Sequence, residues 1–166
     1  MILGCGVDLT DVARFEQEVA RRGGGLTEAL FGAGELEWCR RRRRPCEGYA
    51  MAYAAKEALF KALGTGMVGR MTWSDIAIAW PAGAARPAMT LSGETAALAA
   101  AMGADGVHVA VAATREHAVA WVVVSGLGTR DSFVTLKQVH SATQRHGPSP
   151  ESGTPGPDTG PSAHFR

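Results

Sequence analysis

Apolar residues recur along this chain in two rhythms, and the change between them divides it. Up to residue 63 the spacing is helical. Val12, Phe15 and Val19 form one stripe over about residues 11–22, with Thr10 as the expected N-cap. Gly23-Gly24-Gly25 should stop that helix, and short helical pieces follow near 27–31 and 34–43. Pro45 breaks the chain before a main helix over about 48–63. There Tyr49, Ala52, Tyr53, Leu59, Phe60 and Leu63 repeat every three to four residues. Gly64 suits the left-handed position that ends it.

Past residue 70 the rhythm becomes that of strands. Ile76, Ile78 and Trp80 alternate with smaller residues, and 86–91 returns as a second strand after the Pro81-Ala82-Gly83 loop. Ser92 caps a short helix through about 102. In 107–113, Val107, Val109 and Val111 face one way and His108, Ala110 and Ala112 the other. The long apolar run 117–125 fits a central strand. Residues 1–9 read as a buried first strand ending at Asp8, with Gly4 and Gly6 on one side allowing another backbone or a ligand to come close. Helices first and strands after predict an α+β fold on an antiparallel sheet. The domain spans 1–125, and 126–166 forms a C-terminal extension. Five of the eight prolines fall between Pro148 and Pro161, so the extension reads as largely disordered.

Composition narrows the function classes. The 166 residues carry a net charge of +1, giving no overall attraction to nucleic acid or to a membrane surface. No apolar run approaches the ~20 residues that span a bilayer. The three cysteines, Cys5, Cys39 and Cys46, lack disulfide or zinc spacing and point to a reducing cytoplasm. Arg40 to Arg44 form a charge run, by default a solvated helix face.

The chemistry concentrates in Ala54 to Gly66. Glu57 and Lys61 stand four apart on one helix face, roughly 6 Å between Cβ atoms, a spacing that can set a cation and an ammonium against one polyphosphate. Fourteen of the 17 basic residues are arginine, yet two of the three lysines, Lys56 and Lys61, lie in this segment. A compact ammonium and a planar guanidinium are different phosphate ligands. If the end of the first strand packs on the main helix, Asp8 and Glu57 can share one hard cation. Mg²⁺ needs only one or two protein carboxylates beside waters and phosphate oxygens. By themselves these residues also fit a surface ion pair and a helix-dipole charge.

In the same order along the chain, the sequence resembles the 4′-phosphopantetheinyl transferases of the holo-acyl-carrier-protein synthase type. The resemblance covers about residues 1–125. It is carried by Ile2 to Asp8, by Phe31 with Glu35 and Trp38-Cys39, and by Ala54-Ala55-Lys56-Glu57-Ala58 through Lys61 to Gly64-Thr65-Gly66. Trp73-Ser74-Asp75-Ile76, Arg86-Pro87 and His108-Val109 complete it. The resemblance implies that family's fold and transfer of phosphopantetheine from coenzyme A to a serine of an acyl carrier protein, releasing adenosine 3′,5′-bisphosphate. Asp8 and Glu57 would bind Mg²⁺ and Lys61 would neutralise phosphate charge. The serine proton would go to Glu57 or to a water on the cation. Lys56, Lys61, Gly64, Thr65, Gly66, Arg86, Pro87 and His108 would hold coenzyme A. A cytoplasmic homotrimer with its site at a subunit interface is the implied assembly, and nucleic acid and membrane are not among the implied partners. The chain departs from the family at Ala52, usually arginine, near Ala29, often arginine, and at Ala110 and Ala113, usually polar. Those losses motivate a second reading, a non-catalytic relative that binds carrier proteins.

Overall fold

The computed structural model describes residues 1–84 and 86–127. The C-terminal extension expected at 126–166 lies, apart from Gly126 and Leu127, outside the described residues. Strand β1 (Ile2–Asp11) opens the chain, followed by helices α1 (Val12–Arg22), α2 (Gly24–Leu30), α3 (Ala33–Arg40) and α4 (Pro45–Leu63). A turn of 3-10 helix (Trp73–Asp75) leads into the hairpin β2 (Ile76–Ala79) and β3 (Ala88–Leu91), then α5 (Gly93–Ala101). Strands β4 (Ala104–Ala113) and β5 (His117–Gly126) complete a three-stranded antiparallel sheet ordered β1-β5-β4. The strand with the most continuous apolar run is therefore the central one, as its sequence predicts.

Helix α4 is buried nearly all round, from Gly48 to Lys56 and again at Ala58, Leu59, Phe60, Ala62 and Leu63. Such a helix belongs in a core rather than on it. One side of α4 lies on β1 and β5, and the other carries α1 and α3. Its contact with β1 is made backbone to backbone. A Cβ at Gly4 would come within 2.0 Å of the Ala62 carbonyl oxygen, and one at Gly6 within 2.0 Å of that of Ala58. Gly4, Gly6 and Asp8 share one strand face, so the row that admits the helix ends in the carboxylate.

Several boundaries differ from the sequence reading, each for a local reason. β1 runs to Asp11 because its pairing with β5 continues to Asp11↔His117. Thr10 is thus a strand residue, and Asp11 takes the N-cap, its side chain accepting from the Arg14 amide at 2.9 Å. Pro45 does not break the chain. It opens α4 at the first helical position, where its missing N–H costs nothing and its fixed φ fits. Of the three glycines at 23–25, Gly23 ends α1 with φ 67° while Gly24 and Gly25 begin α2. Gly64 takes φ 75° and caps α4 as expected.

A buried ion pair ties the helical half together. The Lys56 ammonium donates to Glu35 at 2.9 Å and to the carbonyls of Leu30 at 2.7 Å and Trp73 at 3.1 Å. Glu35 in turn accepts from the amides of Gly32 at 2.7 Å and Ile78 at 3.1 Å. Burial pulls the Lys56 pKa down and the Glu35 charge opposes that pull. Lys56→Met leaves the Glu35 carboxylate buried without its counter-charge. We expect a loss of about 3–5 kcal/mol in urea unfolding, whereas a loss below about 1 kcal/mol would show the pair to be dispensable.

Candidate functional site: a carboxylate-lined cavity at the β1–α4 seam

Where β1 leaves the sheet and α1 begins, a cavity of about 350 Å³ opens against α4. Asp8, Thr10, Asp11 and Arg14 line it from the β1–α1 side, and Tyr53, Glu57 and Lys61 from successive turns of α4. The structure thus brings Asp8, Glu57 and Lys61 together although some 50 residues separate them. Lys61 donates to Asp8 Oδ1 at 2.7 Å and Thr10 donates to Oδ2 at 2.9 Å. Tyr53 donates its hydroxyl to Glu57 Oε1 at 2.8 Å. Burial pushes the Tyr53 phenol up, with the Glu57 and Asp8 charges adding to it, so the phenol stays protonated. Lys61 is half exposed, and as a last-turn cation it also complements the helix dipole.

The donor set is hard oxygen. Among the described residues no three His, Cys, Asp or Glu side chains cluster as an ion-binding group. Of the three carboxylates on the cavity, Asp11 is engaged in capping α1, and Asp8 with Glu57 suits a cation that takes the rest of its shell from water and phosphate, which is the habit of Mg²⁺.

The other expected site residues lie elsewhere. Lys56 does not face the cavity: its side chain is fully buried and its ammonium is held by Leu30, Glu35 and Trp73 in the interior. Gly64, Thr65 and Gly66 form the exposed turn after α4, where Thr65 Oγ1 donates to the Gly66 carbonyl. Arg86 and Pro87 precede β3, and His108 sits on β4 with its Nε2 3.2 Å from Ser125 Oγ. None of these six lines the cavity. Sequence reasoning missed Arg14, which only the fold brings to the wall of the cavity that Glu57 lines. It placed Tyr53 on the packing face, although a hydroxyl one turn before Glu57 was a readable signal. The Arg40–Arg44 run is largely engaged: Arg41 pairs with Glu37, Arg44 with Glu47, and Arg42 lies 4.4 Å over the Trp38 ring.

Residues 4–121 match the family model described as the 4′-phosphopantetheinyl transferase superfamily. The chain belongs to that superfamily. It is 43% identical to a holo-[acyl-carrier-protein] synthase of Desulforudis audaxviator over 126 residues, covering 76% of this chain and 95% of the relative. The crystal structure of the holo-[acyl-carrier-protein] synthase from Neisseria meningitidis superposes with a TM-score of 0.69 at 25% identity, covering 75% of this chain and 99% of that one. The Bacillus anthracis synthase, solved in complex with CoA (3′,5′-ADP), superposes with a TM-score of 0.61 at 27% identity, covering 76% of this chain and 98% of that one. The α+β fold and the holo-acyl-carrier-protein synthase type expected of this transferase are therefore established.

Because Lys61 is half exposed, its pair with Asp8 adds little to folding. Lys61→Ala should change unfolding free energy by less than about 1 kcal/mol. A larger loss would make Lys61 a structural residue and weaken its assignment to the chemistry.

Proposed function

We propose that this transferase moves the 4′-phosphopantetheine of coenzyme A onto a serine of an apo acyl carrier protein, with the Asp8–Glu57–Lys61 cavity as its reaction centre. The observation that carries the reading is the convergence of Asp8, Glu57 and the Lys61 ammonium on one cavity. In the reaction the serine oxygen bonds to the β-phosphorus of coenzyme A, and the bond to adenosine 3′,5′-bisphosphate breaks. The serine proton is taken up within the same cavity, by Glu57 or by a water there. Asp8 and Glu57 would hold Mg²⁺, which would supply neutralisation of the diphosphate. Lys61 adds a mobile positive charge where negative charge develops, so catalysis is positioning plus electrostatics. The intact cluster favours this over a non-catalytic carrier-binding relative.

A homotrimer fits the sheet. The face of β1 and β5 turned away from α4 exposes Ile2 (62%), Val7 (53%), Leu9 (65%), Val119 (37%) and Trp121 (57%). An apolar patch of this extent calls for a partner surface, and a second copy placed there would bring its own Arg86 and His108 to complete the coenzyme A contacts. Among the described residues no helix is long and apolar enough to cross a membrane. The free thiols of Cys5, Cys39 and Cys46 fit a cytoplasmic location.

Incubation with coenzyme A, Mg²⁺ and a panel of apo carrier proteins should add the phosphopantetheine mass to at least one carrier. Glu57→Ala should lower that rate by about 100-fold or more with its melting temperature nearly unchanged. No mass shift on any carrier, or full activity in the variant, would overturn the assignment. Light scattering should give the mass of three chains for the wild type and of one chain for Val7→Glu. A wild-type monomer would remove the trimer.

A further inference from the structure

The proposed chemistry makes no use of the Tyr53 hydroxyl, yet that group is built into the cavity with care. Tyr53 lies one turn before Glu57 on α4 and is 5% exposed. Its ring is held between those of Phe15, 5.5 Å away at 47°, and Trp73, 5.5 Å away at 36°. A ring so enclosed has little freedom to swing. The hydroxyl therefore meets Glu57 Oε1 in a fixed place, at 2.8 Å. The same device recurs on the other carboxylate, where Thr10 donates to Asp8 Oδ2 at 2.9 Å. Each acid has one oxygen taken by a hydroxyl.

We propose that Tyr53 is a positioning residue for the cation. By occupying Oε1 it fixes the Glu57 carboxylate and leaves it as a one-oxygen ligand. This inference rests on the cation site proposed above. Outer groups of this kind orient a ligating side chain before the ion arrives, and losing one typically weakens metal affinity 10–100-fold. The plain alternative is that a buried phenol needs an acceptor and Glu57 is the nearest. The two differ in what they move. A merely structural hydroxyl affects stability, whereas a positioning hydroxyl affects cation affinity.

The probe is Mn²⁺, followed by its electron paramagnetic resonance signal. The full chain is titrated with coenzyme A present and carrier protein absent, with coenzyme A alone as the blank. Wild type, Tyr53→Phe, Tyr49→Phe and Asp8→Asn are compared, with melting temperatures measured in parallel. Tyr53→Phe keeps the ring and its contacts. Tyr49→Phe removes a phenol from the same helix, outside the cavity, and serves as control. We expect Asp8→Asn to abolish protein-bound Mn²⁺, Tyr53→Phe to raise its Kd about tenfold, and Tyr49→Phe to leave it unchanged. A Tyr53→Phe Kd within twofold of wild type overturns the inference alone, provided Asp8→Asn still abolishes binding. An equal loss in Tyr49→Phe also overturns it. If the wild type binds no Mn²⁺, or Asp8→Asn binds as the wild type does, the cation site itself fails and the inference falls with it.

Discussion

The backbone of α4 rests directly on the backbone of β1, and the site follows from that contact. Glycine is required at two points of it, since a methyl group at Gly4 or Gly6 would overlap a helix carbonyl oxygen at 2.0 Å. Overlap with backbone cannot be relieved by a rotamer change. With the helix this close, Lys61 Cβ lies only 3.0 Å from where a Gly6 Cβ would be. The next residue of the same strand face is Asp8, and its carboxylate meets the Lys61 ammonium without any long reach. The pairing of two acids from distant parts of the chain is therefore a result of packing, in which the reactive groups stand at the end of a seam that small residues close.

Rotation of α4 about its axis needs a second constraint, and Lys56 provides it. Its ammonium reaches Leu30, Glu35 and Trp73, so it binds α2, α3 and the turn before β2 to one point on the helix. Neighbouring helix residues project about 100° apart. Anchoring Lys56 on that side turns Glu57 to the cavity. Two lysines five residues apart thus do opposite work. One is a buried tie with its charge cancelled, and the other is a half-exposed charge available to a ligand. Glu35 links the network to the hairpin through the Ile78 amide. The same carboxylate, after burial, helps push the nearby Cys39 thiol up to about 12, which keeps that cysteine protonated and inert.

How legible this was in the sequence depends on the kind of contact. Strand and helix rhythms reported the elements well, because alternation in 107–113 and the 3–4 spacing in 48–63 are local properties of the chain. The glycines on β1 signalled close approach, and Asp8 with Glu57 could be paired once that approach was granted. Element ends were less readable. Whether β1 stops at Asp8 or Asp11 is decided by pairing with residues more than 100 positions away, and Thr10 and Asp11 both have capping side chains. The burial of Lys56 is hidden for a related reason. An ammonium beside a signature glutamate looks like a phosphate ligand, and its burial depends on acceptors from three separate segments. Arg14 carried no local signal at all.

The residues expected to hold coenzyme A do not all stand at one place in the single chain. The cavity has the carboxylates and the ammonium that the reacting diphosphate needs, but Gly64 to Gly66, Arg86 and His108 stand outside it. His108 is on β4, which β5 separates from β1. Within a single chain it cannot approach a ligand seated between β1 and α4 unless that ligand crosses the sheet. In the proposed trimer, a second copy laid against the exposed apolar face would remove the difficulty by bringing its own β4 to the first chain's cavity. The apolar side chains on β1 and β5 that would be costly on a lone molecule would then be the means by which the remaining ligand contacts arrive. On this view folding and assembly are two stages of one construction. Under the proposed assembly the β1–α4 seam would make the reaction centre, and the opposite face of the same strand would recruit the chain that completes it.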